Sequence, residues 1–469
     1  MTESREDAAG AAVLAVLREL LQEGQGNAPQ PDLDSRLERD LGLDSLGRAE
    51  LLTRLERRTG ARLPERLLEA ETPRELQQAL LQAEAAPQAA PATDRIEAPS
   101  PGTAEAPRRA TTLTEVLAWH ARRQPQRVAL HLYADGATAP EPIDYNTLWR
   151  ESRALAAGLR ERGIAPGQTV ALMLPTGRDY FVSFFGILLA GATPVPIYPP
   201  LRPSQLEEHL RRHTRLLANA EAALLLTVAE ARPLARLLGT RVPGLRGVVT
   251  AADLARPDAD TALPPIDPGA LAFVQYSSGS TGDPKGVMLS HANLLANIRA
   301  MIERIEVRPD DVFVSWLPLY HDMGLIGACL GSLYQGIPLA VMSPLRFLRR
   351  PAEWLWAIHR HRGTLSAAPN FAYALCLQRI ADEELEGLDL SSLRFVANGA
   401  EPVSADTLRR FGERFAHYGL DPAALAPVYG LAECAVGLAL PAPGRGLRTD
   451  RVQAEPLRGR GEAVPAAED

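Results

Sequence analysis

Lysine is almost absent from this sequence of 469 residues: Lys285 is the only one, although arginine is abundant. Cysteine is also scarce. The three that occur, Cys329, Cys376 and Cys434, lie far apart and have none of the spacings of a metal site. This usage argues against a disulfide framework and predicts reduced thiols in a cytoplasmic protein.

Long hydrophobic runs are missing as well. Residues 1–7 are polar and charged, whereas a secretory signal needs an apolar core. The most apolar stretch, Tyr180 to Ala192, is too short to cross a bilayer and contains two glycines. We therefore predict a buried helix there and no membrane span.

A basic surface is not expected either. The net charge of -7 and the pI near 5.8 supply no field that would attract the phosphates of a nucleic acid, so we exclude nucleic acid as a partner. Arginine pairs such as Arg349 and Arg350 are accordingly interpreted as solvated surface. The length exceeds one usual hydrophobic core, which predicts two or more globular domains.

The first part of the chain has the leucine spacing of short amphipathic helices. We expect one helix over about residues 7–22, a second from Ser45 to a stop at Gly60, and a third that starts at Thr72-Pro73 and ends near Leu80. Residues 1–84 are therefore predicted to form a small all-α bundle of three to four helices.

Residues 85–110 have a different composition, since roughly half are alanine or proline and almost none are large and apolar. We predict a linker that lets the bundle sample several docking positions. Beyond it, apolar runs such as Val170–Leu174 and Ala272–Tyr276 alternate with helical segments. Residues 111–469 are thus expected to form α/β layers with mostly parallel sheets.

The most glycine-rich loop follows the strand that is expected to end at Tyr276. It reads Ser277-Ser278-Gly279-Ser280-Thr281-Gly282-Asp283-Pro284-Lys285-Gly286, and Ser290 is expected to cap the helix after it. Glycine amides, hydroxyls and one mobile ammonium together favour phosphate binding. The spacing is not that of a Walker loop, which disfavours a P-loop NTPase. Taken alone, such a loop could also be a flexible surface turn.

This loop resembles the signature of the adenylate-forming superfamily, whose members join a carboxylate to AMP. Three further motifs of that superfamily follow in the expected order: Trp316-Leu317-Pro318-Leu319-Tyr320-His321-Asp322-Met323-Gly324, Asn398-Gly399-Ala400-Glu401-Pro402 and Tyr429-Gly430-Leu431-Ala432-Glu433. The resemblance extends from about residue 111 onward. It implies the large α/β lobe of that fold.

The resemblance also implies a site for ATP and Mg²⁺. Phosphates would be held by Ser277, Ser278, Gly279, Ser280, Thr281, Gly282 and Lys285. Gly399, Ala400 and Glu401 would line the adenine site, and Tyr429, Gly430, Leu431 and Ala432 would also bind ATP or AMP. Tyr429 would stack on the base, Glu433 would help to hold Mg²⁺, and His321 would lie beside the acyl carboxylate. His321 and Lys285 are the implied catalytic residues, although an isolated histidine is more often simply packed or solvated.

Ala432 stands where most of the superfamily has threonine. This feature, together with Pro194–Pro200 and Ala367–Phe371, resembles the fatty acyl-AMP ligases, and residues 441–467 resemble the start of their insertion. The implied function is activation of a fatty acid to acyl-AMP and its transfer to a carrier thiol. Such a loading module would serve polyketide or peptide synthase modules downstream. A coenzyme A ligase and a non-catalytic acyl- and nucleotide-binding module are the alternatives.

Asp44-Ser45-Leu46 heads the second expected helix, and alone such a pair would be a helix cap. Together with Gly42 and the linker, it resembles acyl carrier proteins. There the serine bears 4'-phosphopantetheine, which a phosphopantetheinyl transferase attaches, and the amides of the helix N-terminus favour the phosphodiester.

The second helix departs from the acidic pattern that is usual in carriers of fatty-acid synthesis. It holds Arg48, Arg54, Arg57 and Arg58 beside Glu50 and Glu56. This pattern favours a modular polyketide or peptide synthase setting.

Members of the superfamily also carry a barrel subdomain with an aspartate on the ribose hydroxyls. A small C-terminal lobe adds a lysine that neutralises charge at the carboxylate and α-phosphate. Lys285 is the only lysine here and belongs to the phosphate loop. We therefore expect the C-terminal lobe and its lysine to be missing, and the chain to be a fragment of a longer enzyme.

Overall fold

The computed structural model describes most of the chain. The described residues are 2–24, 30–37, 40–41, 43, 45–61, 63, 67, 70–82, 95–96, 106–134, 137, 139–198, 206–232, 236, 240–257, 262–277 and 285–466.

An N-terminal bundle occupies residues 2–82. Its helices are α1 (Thr2–Gly24), α2 (Ser45–Thr59) and α3 (Pro73–Gln82). The apolar faces meet in a core of their own, which includes Val13, Leu17, Leu51, Leu55 and Leu76. Gly60 follows α2 with φ of 67°, the left-handed conformation that often ends a helix. The three helices expected from leucine spacing are confirmed.

The second body, which we call the lobe, comprises the described residues from 106 to 466. Its strands are β1 (Val128–Tyr133), β2 (Glu141–Asp144), β3 (Thr169–Met173), β4 (Thr193–Pro196), β5 (Leu224–Thr227), β6 (Val248–Val249), β7 (Leu271–Ser277), β8 (Lys285–Ser290), β9 (Phe313–Ser315), β10 (Leu339–Met342), β11 (Leu365–Ala368), β12 (Phe395–Asn398), β13 (Leu425–Pro427), β14 (Tyr429–Leu431) and β15 (Val436–Ala439).

Helices cover these strands. They are α4 (Leu113–Arg123), α5 (Tyr145–Glu161), α6 (Arg178–Leu189), α7 (Leu206–Asn219), α8 (Ala251–Leu254), α9 (His291–Arg304), α10 (Gly331–Gln335), α11 (Pro344–Arg349), α12 (Ala352–His361), α13 (Asn370–Arg379), α14 (Ala405–Ala416) and α15 (Ala454–Arg460). A π-helix spans Met323–Leu330, and 3₁₀ turns span Asp382–Leu385, Pro422–Ala424 and Ala432–Cys434. Helix α6 is buried from Tyr180 to Leu189, as predicted. In the described part of the chain, no helix combines the length and the apolar composition that a membrane span requires.

The strands form two larger sheets, and the expectation of mostly parallel pairing is confirmed. A seven-stranded sheet has the order β13-β12-β11-β9-β10-β1-β2. Its neighbours are parallel except for β1 and β2. A four-stranded sheet, β4-β3-β5-β6, is parallel throughout. Parallel strands place their carboxyl ends at one edge, where ligands of open α/β sheets bind.

The glycine-rich loop has a different setting from the expected strand, loop and helix. Strands β7 and β8 pair antiparallel, with Ser277 opposite Lys285, so the loop joins the two strands of a hairpin. Helix α9 begins only after β8, and Ser290 caps it as predicted. The run Lys285–Ser290 is short, and its apolar residues do not distinguish a strand from an extended loop.

The bundle lies against the lobe, where α2 contacts α11. The interpretation of Arg349 and Arg350 as solvated surface is wrong, because Arg349 is only 8% exposed and both guanidinium groups pair with Glu56 of the bundle. Charge patterning alone does not reveal a partner this distant in sequence. Ala110, the last residue of the predicted linker, is buried in the hydrophobic core of the lobe.

Candidate functional site

Three of the four motifs follow strands of the seven-stranded sheet at its carboxyl edge. The His321 motif follows β9, the Ala400 motif follows β12, and the Tyr429 motif follows β13. Because these strands are parallel, their carboxyl ends share one edge, and the three motifs are brought together there.

A cavity of about 330 Å³ lies between these motifs. The predicted residues that line it are His321, Ala400, Tyr429, Gly430, Leu431, Ala432 and Glu433. Gly399 and Glu401 are not among the lining residues. Glu401 instead accepts a hydrogen bond from the Phe371 amide (2.6 Å), which ties the Ala400 motif to the start of α13.

The interior of the cavity is apolar. One face of α9 supplies Ile298, Met301 and Ile302 at positions i, i+3 and i+4, and Ile305, the residue that follows the helix, continues the row at i+7. Phe313, Leu365 and Phe395 of the sheet close the other side. These wall residues were not predicted, because helical spacing of apolar residues more commonly marks an ordinary core.

His321 is one of the polar residues that line the cavity, and its side chain is 49% exposed. Its Nδ1 is 2.8 Å from Oδ1 of Asp322, which is itself mostly buried. The Met323 amide donates to Oδ1 of Asp322 at 2.7 Å and to Nδ1 of His321 at 3.3 Å, which leaves Nε2 as the second polar atom of the ring. Asp322 thereby fixes the ring, a role that the sequence did not single out.

Tyr429 and Glu433 present their side chains at the surface, whereas Ala432 between them is buried. Tyr429 is 63% exposed, so the face of its ring is accessible to a planar group. The described residues hold no group of three or more His, Cys, Asp or Glu side chains that could bind a metal by themselves. A single exposed carboxylate such as Glu433 fits Mg²⁺ that is bound mainly through substrate phosphates.

The backbone around the cavity is strained at three non-glycine residues. Ala400 has φ of 69°, Ala435 has φ of 56°, and the β-branched Val436 has φ of 82°. At Gly430 an added Cβ would overlap the carbonyl oxygen of Val436, so only glycine permits this close approach. Asn297 of α9 holds the same segment, since its amide donates to the Gly437 carbonyl (2.7 Å) and accepts from the Gly437 amide (3.0 Å).

The glycine-rich loop, which is predicted to bind phosphate, can be described only at its two ends. Ser277 ends β7 and Lys285 begins β8 with an exposed side chain, while Ser278, Gly279, Ser280, Thr281 and Gly282 lie outside the described residues. Strand β8 contacts the Ala432–Cys434 turn, which places the hairpin beside the cavity. Burial raises the pKa of Tyr276 in β7 to about 12, and its hydroxyl donates to Asn219 at 2.6 Å.

The predicted modification site lies in the other body. Ser45 is the first residue of α2, a helix of 15 residues, whose free N-terminal amides suit a phosphodiester. The Ser45 side chain and Asp44 lie outside the described part of the structure.

Two family models match the chain. Residues 117–460 match the AMP-binding enzyme, and residues 11–80 match the phosphopantetheine attachment site.

Individual relatives agree with these matches. The chain is 34% identical over 351 residues to the medium-chain-fatty-acid–acyl-carrier-protein ligase JamA of Moorena producens, a match that covers 74% of this chain and 59% of JamA. It is 38% identical over 339 residues to the long-chain-fatty-acid–AMP ligase FadD26 of Mycobacterium marinum, covering 70% and 57%.

Among solved structures, the fatty acyl-adenylate ligase from L. pneumophila in complex with acyl adenylate and pyrophosphate matches with a TM-score of 0.67 and 33% identity. That match covers 73% of this chain and 59% of the ligase. The chain therefore spans less than two thirds of the length of these relatives.

Proposed function

The chain belongs to the AMP-binding enzyme family and contains a phosphopantetheine attachment site, and from this premise we propose that it is part of a fatty acyl-AMP ligase fused to its acyl carrier. In this reaction a fatty acid carboxylate attacks the α-phosphorus of ATP. The bond to the bridging oxygen breaks, and pyrophosphate leaves. A phosphopantetheine thiol then attacks the acyl carbonyl, and AMP leaves.

The observation that carries the proposal is the composition of the cavity. Its wall is apolar along α9, while His321, Tyr429 and Glu433 add polar groups to its lining. An apolar interior suits an alkyl chain, whose transfer from water is favourable by about 0.8 kcal/mol per methylene. The polar residues suit the carboxylate and the nucleotide that must meet at its head.

Each polar residue has a distinct task in this proposal. The imidazole of His321, oriented by Asp322, positions the acyl carboxylate. The exposed ring of Tyr429 stacks on adenine. Lys285 neutralises phosphate charge from the adjacent hairpin, and Glu433 contributes to holding Mg²⁺, which would stabilise charge on the phosphates.

The acceptor in the proposal is the arm on Ser45, attached by a phosphopantetheinyl transferase in the cytoplasm. Coenzyme A carries the same thiol and is the competing acceptor. The phosphopantetheine attachment match over residues 11–80 favours the carrier, because a covalently attached thiol is present at high effective concentration.

Mass spectrometry tests the proposal. The phosphopantetheinylated protein, extended to the length of its relatives, would be incubated with ATP and a mixture of fatty acids. We expect a mass gain of one acyl group on the Ser45 peptide. Acyl-coenzyme A as the main product, when both thiols are offered, would contradict the choice of acceptor.

A second function is favoured for these 469 residues alone. Their single lysine is Lys285, which this proposal assigns to the phosphates, so no second ammonium is left for the reacting carboxylate. We propose that the chain by itself binds acyl and nucleotide ligands with little turnover, since loss of such a charge costs orders of magnitude in rate. Calorimetry should detect binding while pyrophosphate release stays near background. Turnover equal to that of the extended protein would contradict this.

A further inference from the structure

We propose that helix α11 of the lobe is a docking site for the N-terminal bundle of the same chain, and that Glu56 recognises it by bridging Arg349 and Arg350. The functional meaning of this docking rests on the proposed function, in which the bundle is the acyl carrier that the lobe loads.

Glu56 is fully engaged at this contact. It is 7% exposed, and its Oε1 lies 2.5 Å from Nη2 of Arg349, while its Oε2 lies 2.8 Å from Nη2 of Arg350. Oε1 also accepts a hydrogen bond from the Leu63 amide at 2.7 Å, and Arg349 donates to the Leu63 carbonyl. Charges this buried are tolerated only with complete pairing, so a partner without the matching acid would be rejected.

Helix α11 has two faces with different tasks. Leu345 and Arg349 are four residues apart and therefore lie on one face, and Leu345 packs against the apolar core of the bundle. Phe347, on another side of the helix, is fully buried in the lobe and stacks on Trp316 with ring centroids 3.9 Å apart. Apolar contact and ion pairing thus coincide on the face that meets the bundle.

The position of α11 relates the docked bundle to the candidate site. Helix α11 follows the carboxyl end of β10, and β10 pairs parallel with β9, whose own carboxyl end leads to His321. Neighbouring strands are about 4.8 Å apart, so the segment that leads to α11 and the segment that leads to His321 leave the same edge of the sheet side by side. The Tyr429 motif follows β13, at the far end of the same sheet.

The linker is also attached to the lobe in its described part. The Ile96 amide donates to the Arg360 carbonyl at 2.9 Å, and Arg95 pairs with Asp389 at 2.9 Å. Twelve residues, 83–94, separate α3 from this attachment in the sequence. Such a short connection keeps the bundle close to α11 and raises its effective concentration there.

The test measures how fast the bundle tumbles in the whole chain, with neither ATP nor fatty acid added. Methyl relaxation of its leucines should give the correlation time of the complete 50.7 kDa chain. Arg349→Glu combined with Arg350→Glu should lower this value several-fold, toward that of a small free domain. Leu345→Asp should act in the same direction through the apolar contact. These substitutions lie on the lobe, so they leave the interior of the bundle intact.

Arg410→Gln is the matched control, because Arg410 is an exposed arginine of α14 whose partner, Asp406, also lies in the lobe. It should keep the value of the unmodified chain. Fast tumbling of the bundle in the unmodified chain, or no change in the charge-reversed variant, would overturn the inference. Docking that appears only as concentration rises would also overturn it, since it would join two copies.

The docking measurement separates this inference from the proposed function. A chain that docks but, when extended, never acylates Ser45 would contradict the function and retain the docking site. If the extended, charge-reversed variant had a freely tumbling bundle and still acylated Ser45 as fast as the extended unmodified protein, the docking site would be contradicted. The proposed function would be retained.

Discussion

The N-terminal bundle and the lobe hold their candidate sites in opposite ways. In the bundle, the predicted function depends on one serine at the first residue of α2. In the lobe, the site is assembled from residues that lie between Ile298 and Leu440 and reach the cavity from five strands (β9, β11, β12, β14 and β15), from α9 and α10, and from the π-helix.

This difference determines how each region should respond to substitution. A site of one residue is lost completely when that residue is changed. A site built from many contacts loses only the free energy of the contact removed, which is commonly on the order of 1–3 kcal/mol. Losses in the lobe should therefore be graded.

The largest expected effect is at Ser45. Ser45→Ala should abolish attachment of the phosphopantetheine arm, because the acceptor oxygen is removed. The mass of the protein after treatment with a phosphopantetheinyl transferase and coenzyme A provides the measurement. Ser35→Ala, in the loop before α2, is the matched control and should still gain one arm. An unchanged mass gain in Ser45→Ala would show that another residue is modified.

Local features of both regions could be predicted from the sequence. Helix α2, the cap at Ser290 and the order of the four motifs depend on residues close together in the chain, and the structure contains the two helical features as expected. The motif residues that meet at the cavity could be proposed only through the family resemblance, since their convergence depends on how the strands are ordered in the sheet.

Features that depend on distant partners could not be predicted. Glu56 and Arg349 are separated by 293 residues, and each looks like an ordinary surface charge in its own helix. The wall formed by Ile298, Met301 and Ile302 has the spacing of any buried helix face. Strand β8 was missed because a short apolar run after a loop has no distinctive period.

The second largest effect is expected from acid, which should lower the stability of the lobe through its histidines. All nine histidines lie beyond residue 110, so the bundle has none. Burial lowers the pKa of His131 to about 4, and burial, with His131 and Arg360 nearby, lowers that of His361 to about 3. Below its ordinary pKa of about 6.5, a histidine binds protons more readily in the unfolded chain. The stability of the lobe is therefore complete above that pH and falls as the pH approaches 4.

Urea unfolding at pH 7 and 4.5, followed by tryptophan fluorescence, measures this effect, because all five tryptophans lie in the lobe. His131→Phe should reduce the acid-induced loss by about 2–3 kcal/mol. His417→Gln changes an exposed histidine and should leave the loss unaltered. If both variants behave alike, burial of His131 is not the cause.

A graded loss is expected at Lys285. Lys285→Ala should weaken ATP binding by about tenfold to a hundredfold, since a charge-assisted contact is worth roughly 1.5–3 kcal/mol. Calorimetry on the chain measures the affinity, and Lys285→Arg is the matched control because it retains the charge. Equal ATP affinity in the alanine variant would exclude Lys285 from the phosphate site. A complete loss of ATP binding would contradict the expected graded response, because the site in the lobe would then depend on one residue, as the site in the bundle does.

The smallest expected effect concerns the wall of the cavity. Met301 lines it from α9, so Met301→Ala should lengthen the space available to an alkyl chain. Each additional methylene that fits should then gain about 0.8 kcal/mol, close to fourfold in affinity. Calorimetry with saturated fatty acids of increasing length should show the preferred length shifting upward. Met288→Ala is the matched control, because Met288 is 65% exposed on β8 and lies outside the cavity. An identical length preference in both variants would mean that the alkyl chain binds elsewhere. The apolar wall of the cavity would then not belong to the candidate site.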